Sequence, residues 1–173
     1  MHYQEKVTEF MTVFGQDCPK NPTIPPIDVR VLRIKLLLEE VFELAEASSV
    51  QITDTCGAPL DTTSIKGNKI KFKEIENFSP CLVGIADAIA DISYVNYGAA
   101  NAYGINIEPI EQEVHDSNMT KLFSLEEVNN LNQQAYNITK ITEEKFLVKS
   151  LDGKVQKSPS YTPANVKKFI YPQ

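Results

Sequence analysis

Acidic residues occur in closely spaced groups on two segments of the chain that are otherwise mostly apolar. They are Glu39, Glu40 and Glu43 within residues 36–46, and Asp87 and Asp91 within residues 86–95. On a helix, residues three or four positions apart share a face, so each segment places two carboxylates side by side. Like charges at this spacing repel each other unless a cation joins them. Mg²⁺ and Mn²⁺ prefer oxygen ligands and share them with phosphate groups, so the sequence predicts a metal–phosphate site between two helices.

The acidic segments also fit a simpler interpretation, in which the carboxylates form a solvated helix face. Residues 36–46 fit it as well as they fit a metal site, because Glu46 continues the acidic side. Asp87 and Asp91 fit it less well, since their segment is otherwise apolar or small and Asp is a poor helix former. A buried carboxylate is also unfavourable without a compensating charge. The second segment therefore favours a functional or metal-binding role.

The spacing of apolar residues predicts the helices that hold these acids. A first helix is expected over residues 2–14, followed by a proline-rich connector over residues 16–26. The second helix should begin at an N-cap, Asp28, and continue to about Ser48. Its expected buried side consists of Val31, Ile34, Leu37, Leu38, Val41, Leu44 and Ala45.

Three more helices are predicted after the acidic helix. The third should span residues 80–104, where many Ala and Gly residues would allow neighbouring helices to approach closely, and Gly104 is a suitable C-cap. A fourth is expected over residues 109–122. Residues 124–127 show the pattern of a capping box and open a fifth. The chain is therefore expected to form an all-α helical bundle.

Two segments depart from the helical pattern. Residues 51–79 contain turn formers and alternating residues, which predict a surface insertion that holds a hairpin or a short helix. Farther along, the strand-like residues 145–149 and 154–157 flank Asp152-Gly153, a strong turn signal. We expect a small C-terminal β-hairpin and a tail within residues 143–173.

Composition limits the class of protein. The chain has 173 residues, which suits a single domain over residues 1–173, and its longest apolar runs fall short of the roughly 18 residues that span a membrane. The N-terminus lacks the pattern of a secretion signal, so a cytoplasmic location is expected. A net charge of −6 argues against a nucleic-acid groove. The scattered cysteines favour reduced thiols, and these are Cys18, Cys56 and Cys81.

Four stretches of the sequence resemble the MazG/HisE-like all-α nucleoside triphosphate pyrophosphohydrolases. Residues 38–44 fit that family's Glu-Glu-x-x-Glu, and residues 86–95 fit its second acidic helix. Residues 115–121, with the sequence His-Asp-Ser-Asn-Met-Thr-Lys, look like a motif of the bacterial and phage-type branch, and residues 152–159 resemble its C-terminal segment. One position departs from the pattern, since many members carry Glu-x-x-Asp on the second acidic helix and this chain has Ala88 in place of that Glu.

The resemblance implies metal-dependent hydrolysis of a nucleoside or deoxynucleoside triphosphate between the α and β phosphates, which gives the monophosphate and pyrophosphate. It implies that Mg²⁺ or Mn²⁺ is held by four carboxylates, with Asp87 taking the place of the missing Glu, and that Glu39 positions or deprotonates the attacking water or is itself a ligand. The ligands would be Glu40, Glu43, Asp87 and Asp91. It also implies a homodimer or homotetramer, which the strongly apolar helices favour independently.

Further residues are candidates for contact with the substrate. Within the phage-type motif, Asn118 and Lys121 would bind phosphate or sugar, or would form an ordinary exposed helix end. In the same motif, His115 would contact the nucleotide, or would serve as a helix cap or in packing. In the first helix and its connector, Phe14 and Gln16, together with Phe10, offer a stacking surface and an amide for the base, although such phenylalanines also suit a plain core. Arg30 and Arg33 would balance the charge of the acids or reach phosphate, and simple salt bridges with the acids are the favoured expectation.

Two other functions fit the same residues. The chain would be a non-catalytic helical module that binds a nucleotide or a protein if its acids were structural, and the altered second motif favours this alternative. A hydrolase acting on phosphoribosyl-ATP would share the fold and the metal and would differ only in its substrate.

Overall fold

A computed structural model describes residues 2–54 and 70–171 of the chain. About half of these residues are helical, in six α-helices, and two small antiparallel hairpins complete the structure of this part, which confirms a mostly α fold. The chain forms two compact units, residues 1–105 and 106–173. No helix in the described ranges is long and apolar enough to cross a membrane.

The first unit contains three long helices close to their predicted positions. They are α1 (Tyr3–Val13), α2 (Ile27–Ala47) and α3 (Leu82–Ala102). The predicted start of α2 at Asp28 is wrong, because Pro26 is the N-cap and Asp28 lies in the first turn. A carboxylate in the first turn still interacts favourably with the positive end of the helix dipole. The core of this unit is built on Val7 and Met11, which α1 packs against Ala102 of α3.

Helices α2 and α3 pack against each other in antiparallel orientation, and small residues allow the close approach. At one end, a Cβ on Gly84 would lie 3.3 Å from the Cβ of Ala47. At the other end, a Cβ on Gly98 would lie 3.2 Å from Nη1 of Arg33. The expectation that glycine and alanine in α3 permit tight helix packing is therefore confirmed.

The proline-rich connector lies along the end of α3. The backbone N–H of Thr23 donates a hydrogen bond of 2.9 Å to the carbonyl of Tyr103. Gly104 adopts a φ of +64°, and any Cβ there would overlap the carbonyl of Asn21, so this position requires glycine. These contacts hold the connector against the helices.

In the predicted insertion, the described residues form one β-hairpin, with one strand from its start and the other from its second half. Strand β1 (Val50–Asp54) pairs antiparallel with β2 (Ile70–Glu74), while the expectations for residues 55–69, including Cys56, lie outside the described residues. The buried hydroxyl of Ser49 donates 2.8 Å to the carbonyl of Phe78 and so ties the start of the hairpin to the segment that leads into α3.

The second unit combines helices with a hairpin. Its elements are α4 (Glu108–Met119), α5 (Leu125–Asn129), a 3-10 helix (Gln133–Ala135), β3 (Tyr136–Lys140), β4 (Phe146–Ser150) and α6 (Lys167–Ile170). The predicted capping box is confirmed, because Ser124 and Glu127 exchange backbone and side-chain hydrogen bonds. Phe123 packs with Val128 and Val148 in a small core.

The C-terminal hairpin differs from the predicted one. Strand β4 pairs with β3, which precedes it, while the segment after Asp152-Gly153 contributes only a single bridge between Lys149 and Val155. The Asp-Gly turn itself forms, with Gly153 at a φ of +89°. The two segments lie on opposite edges of β4, since Lys149 pairs with Asn137 of β3 on one edge and with Val155 on the other. Strand β3 forms the longer ladder, and its Tyr136 and Ile138 pack on the small core.

The predicted buried side of α2 is largely wrong. Only Leu37, Leu44 and Ala45 are half-buried, whereas the remaining four residues, Val31, Ile34, Leu38 and Val41, are exposed. The reason is that α2 is apolar on more than one side, and α3 covers the side that contains Arg33 and Ala47. The other apolar side is open in a single chain.

Candidate active site

The five predicted acids lie in the first unit, on α2 and α3. The contacts of Arg33 with Gly98 and of Ala47 with Gly84 fix the register of these two helices. On α2, Glu40 lies seven residues, or about two helical turns, from both Arg33 and Ala47. On α3, Asp91 lies seven residues from both Gly98 and Gly84. Glu40 and Asp91 therefore lie at the same level, midway between the two contacts.

The electrostatics of Glu40 show that the acids are close enough to interact. Burial raises the pKa of the Glu40 carboxyl, and the charges of Glu43, Asp91, Glu39 and Asp87, in that order, raise it further. Within residues 2–54 and 70–171, none of the five carboxylates forms an ion pair with Lys or Arg or a hydrogen bond through its side chain. The negative charge of this cluster is therefore uncompensated by the described protein groups.

The donor chemistry of the cluster fits a hard divalent cation. Every candidate ligand atom is a carboxylate oxygen, which is the ligand that Mg²⁺ and Mn²⁺ prefer, and a cation would relieve the repulsion that Glu40 experiences. In the described part of the chain, no three His, Cys, Asp or Glu side chains stand together as a ready-made metal site. Four of the five acids are exposed at the surface of the unit, and Glu40 is half-buried.

The departure from the family pattern has a packing explanation. Ala88 occupies the position where many family members carry Glu, and its side chain is only 3% exposed. A longer acidic side chain would not fit there without moving its neighbours. Asp87, the next residue back, is exposed and contributes to the electrostatic field at Glu40.

Arg33 is a buried cation of the first unit. It is 7% exposed, its Nη2 donates 2.7 Å to Oε1 of Gln16, and its Nε has no hydrogen-bond partner. The expected salt bridges are wrong, since neither Arg30 nor Arg33 forms an ion pair with an acid of the described ranges. Arg33 packs instead against Gly98, too far along α2 to reach the carboxylates that stand two turns away.

A pocket of about 640 Å³ lies between the connector and the start of α2. Gln16, Asp17, Thr23 and Arg33 are the polar residues of its lining, and most of the remainder is apolar. Phe14 does not line it; its ring is exposed and stacks 4.4 Å from that of Phe10. The pocket therefore joins Gln16, a predicted substrate residue, to Arg33, for which the sequence indicated only a salt bridge.

The remaining predicted residues lie in the second unit. Lys121 Nζ donates 2.7 Å to Oδ1 of Asn118, so these two side chains act as a pair, while His115 is exposed on the same helix, α4. The sequence missed two neighbours of this pair. Lys157 lies over the ring of Tyr161, with its Nζ 4.3 Å from the ring centroid.

The pKa of Tyr161 reflects its hydrogen bond with Ser117 and the positive charge of the lysines around it. A hydrogen bond from Ser117 lowers the pKa of its phenol, and the charges of Lys157 and Lys121 lower it further. Lys121 and Lys157 thus form a small cationic surface on the second unit. The resemblance of residues 152–159 to the family's C-terminal segment was the available signal, since that stretch contains Lys157.

Comparison with known proteins gives one family. The family model described as phosphoribosyl-ATP pyrophosphohydrolase matches residues 7–118. This range contains all five acids, the polar residues of the pocket, and the predicted substrate residues His115 and Asn118. No curated protein matches the chain.

Proposed function

The chain belongs to the phosphoribosyl-ATP pyrophosphohydrolase family, within the superfamily of MazG-like all-α NTP pyrophosphatases, and from this membership we propose a specific reaction. The family acts as a pyrophosphohydrolase on a nucleotide. We propose that this chain hydrolyses a nucleoside or deoxynucleoside triphosphate between the α and β phosphates, to the monophosphate and pyrophosphate. The single observation that carries the proposal is the field of four carboxylates at Glu40.

We propose that Glu40, Glu43, Asp87 and Asp91 hold Mg²⁺ or Mn²⁺ against the phosphate oxygens of the substrate. When bound, such an ion supplies charge neutralisation at the phosphates and lowers the pKa of a coordinated water. The four side chains bring a combined negative charge that would repel a triphosphate without the cation. The chain therefore needs the metal to bind its substrate as well as to turn it over.

Glu39 is the proposed general base. It is exposed beside Glu40, and one of its carboxylate oxygens would accept the proton of the attacking water. The water oxygen forms a bond to the phosphorus of the α phosphate. The bond from this phosphorus to the oxygen that bridges the α and β phosphates breaks, and its electron pair leaves with pyrophosphate.

Residues of the second unit are proposed to bind the phosphate or sugar. Lys121 and Asn118 form a hydrogen-bonded pair, so the cation is held in one place and the amide N–H groups of Asn118 remain available as donors. Lys121, just beyond the end of α4, would neutralise phosphate charge, and His115 would contact the nucleotide from α4. In the first unit, Gln16 and Phe14 are proposed to contact the base.

Four further properties complete the proposal. The protein is expected to belong to the bacterial and phage-type branch and to form the helical bundle of that superfamily as a single domain. It is expected to act in the cytoplasm on the nucleotide pool. It is also expected to assemble as a homodimer or homotetramer, because an apolar stripe on α2 stays exposed in one chain; the stripe consists of Ile27, Val31, Ile34, Leu38 and Val41.

The test is product analysis across a panel of canonical and modified NTPs and dNTPs, with Mg²⁺, with Mn²⁺ and with EDTA. Phosphoribosyl-ATP is included, because the description of the matched family names it. Metal-dependent release of pyrophosphate and a monophosphate from one or two nucleoside triphosphates supports the proposal. Release from phosphoribosyl-ATP alone would assign the second candidate function, and binding without turnover would assign a non-catalytic module.

A further inference from the structure

We propose that Lys157, together with Lys121, binds the terminal diphosphate of the substrate on the surface of the second unit, and that Tyr161 positions Lys157. This inference rests on the proposed hydrolysis of a triphosphate, and it adds two residues to the phosphate-binding role already proposed for Lys121. Nucleoside triphosphates and phosphoribosyl-ATP both contain this diphosphate, so either candidate substrate would use the site.

The C-terminal segment is hydrogen-bonded to the end of α4. The hydroxyl of Ser158, which is 4% exposed, donates 2.9 Å to the carbonyl of Thr120. The buried hydroxyl of Ser117 donates 2.8 Å to the carbonyl of Thr162, whose own N–H donates 2.9 Å to Oγ1 of Thr120. These bonds hold the segment in one place, because buried hydroxyls that lost their partners would be unfavourable.

The hydrogen bond between Ser158 and Thr120 brings two lysines together. Lys157 directly precedes Ser158 in the chain. Lys121 directly follows Thr120. The two lysines are therefore neighbours, although 36 positions separate them in the sequence.

Each ammonium group is held by an uncharged side chain. Lys121 Nζ donates 2.7 Å to Oδ1 of Asn118, and Lys157 Nζ lies 4.3 Å from the ring centroid of Tyr161. Oγ of Ser117 lies 3.4 Å from the hydroxyl of that ring and fixes it. This hydrogen bond lowers the pKa of the phenol, and the charges of Lys157 and Lys121 lower it further. Both ammonium groups are therefore close to Tyr161.

The two lysines have no carboxylate partner. Neither forms an ion pair with a residue of the described ranges, whereas Lys140 pairs with Glu143 and Lys168 with Glu113. Adjacent ammonium groups repel each other, and an anion bound between them would turn this repulsion into attraction. The pair is therefore suited to an anion that the described part of the chain does not supply.

The donors of the pair match the oxygens of a diphosphate. An ammonium group has three N–H donors and no acceptor, and Asn118 takes one donor of Lys121, so others can reach a ligand. A diphosphate has oxygens on two phosphorus atoms and more negative charge than a single phosphate, so it can accept from both lysines. Hydrogen bonds between an ammonium group and phosphate oxygens are among the strong ones. The pair should therefore prefer a diphosphate to a monophosphate.

The first measurement is isothermal titration calorimetry of the full chain in EDTA, with inorganic pyrophosphate and inorganic phosphate. Without a divalent cation the acids repel anions, so the titration isolates the lysine pair. Pyrophosphate should bind at least about tenfold more tightly than phosphate. Lys157→Met keeps the length of the side chain and removes its charge, so pyrophosphate should bind about tenfold more weakly. Lys157→Arg keeps the charge and should stay within about threefold of the wild type.

The second measurement connects the site with the substrate. The analogue α,β-methylene-ATP, which resists cleavage between the α and β phosphates, is titrated in Mg²⁺ beside AMP, which lacks the terminal diphosphate. Lys157→Met should weaken binding of the analogue about tenfold and leave binding of AMP within about twofold of the wild type.

Two further sets of variants separate position from charge. Tyr161→Leu should weaken pyrophosphate about threefold, because the ring no longer holds the ammonium group, whereas Tyr161→Phe keeps the ring and should stay within about twofold. Lys154→Met is the matched control. Lys154 is exposed three residues before Lys157, but its charge acts on Asp152 and is not among those that act on Tyr161. Its removal should change pyrophosphate affinity by about twofold or less.

The outcomes separate this inference from the proposed reaction. Pyrophosphate that does not bind, or that binds Lys157→Met as tightly as the wild type, would overturn the site. Pyrophosphate binding without an effect of Lys157→Met on the analogue would overturn its assignment to the substrate. Binding of both ligands that depends on Lys157 supports the inference even if no triphosphate is hydrolysed, a result that would overturn the proposed reaction alone. If Lys157→Met does not fold, Lys157→Gln decides the question.

Discussion

Arg33 occupies the space that a side chain at Gly98 would need. Its Nη1 lies 3.2 Å from the position of a Cβ built on Gly98, which is tighter than an ordinary van der Waals contact. The same pairing, continued two turns along both helices, places Glu40 at the level of Asp91. The glycine therefore supports both the buried guanidinium and the alignment of the acids.

Gly98→Val tests this contact. The new methyl groups would meet Arg33 and, at 3.8 Å from the Cβ position, Cγ1 of Val7, so the tightly packed helices must shift. We expect a loss of about 1–3 kcal/mol in the free energy of unfolding, as is usual for an overpacked core. Urea unfolding followed by far-UV circular dichroism measures it. Asn96→Val places the same residue on an exposed position of α3 and should cost about 0.5 kcal/mol or less.

Glu43→Ala and Asp91→Ala test the acid cluster. Each removes one of the charges that act on Glu40 and one proposed metal ligand. We expect metal-dependent pyrophosphate release to fall at least about 100-fold in both variants, with the circular dichroism spectrum unchanged. Initial rates at saturating Mg²⁺ and Mn²⁺ give the measurement.

Glu46→Ala is the control for the acid cluster. Glu46 is exposed on α2, one turn beyond Glu43, and is not among the carboxylates that act on Glu40. Its removal should leave the rate within about twofold of the wild type, as expected for an exposed side chain outside the site. Near-wild-type rates in Glu43→Ala and Asp91→Ala would show that the ligand assignment is wrong.

The hydrogen-bonded carboxylate of Glu127 should make the stability of the second unit depend on pH. Its carboxylate accepts from the backbone N–H of Ser124 at 2.7 Å and from the hydroxyl of Ser160 at 2.8 Å, and these bonds lower its pKa, the Ser124 bond most. A carboxyl whose pKa is lower in the folded state stabilises the fold above its ordinary pKa of 4.5. That contribution is lost as the pH falls through the lower, folded value.

Glu127→Ala should therefore be destabilised by about 1 kcal/mol at pH 7, as for the loss of a helix cap, and by less at pH 3. Urea unfolding at the two pH values measures the difference. Glu126→Ala changes an exposed acid in the same first turn, and no described hydrogen bond depends on that side chain. An equal loss at both pH values would contradict the role assigned to the ionised carboxylate.

The sequence predicted most of the helical fold, because local patterns determine it. The acids, the apolar spacing and the capping box of Ser124 are all short-range signals, and each of the five predicted helices appeared close to its predicted place, whereas the short helix α6 and the 3-10 helix were not predicted. Strand pairing was harder to predict. The Asp-Gly turn at residues 152–153 formed, but the segment after it adds only a single bridge to β4, while the full ladder of β4 is with β3, whose Tyr136 and Ile138 pack on the small core.

The site was predictable in part. The spacing of the acids singled out Glu40 and Asp91, and in the structure the charge of Asp91 acts on Glu40, while their role as metal ligands stays a prediction. The pocket was not predicted, because it depends on a connector that folds back to place Gln16 on Arg33, two residues that are 17 positions apart. A salt bridge was the natural expectation for Arg33, since nothing in a sequence shows that an arginine will be buried away from the nearest acids.

Ile34→Glu tests the proposed assembly of the chain. Ile34 is 56% exposed at the centre of the apolar stripe on α2, and the spacing of that stripe is typical of a helix that packs against another. If a second copy covers the stripe, a carboxylate there is buried without a partner, so the oligomer should dissociate to monomers at micromolar concentration. Sedimentation velocity measures the mass. Lys35→Glu, on the exposed neighbour, adds a negative charge beside the stripe and should leave the assembly intact. A monomeric wild type, or an unchanged mass in Ile34→Glu, would mean that the stripe is not the contact between copies.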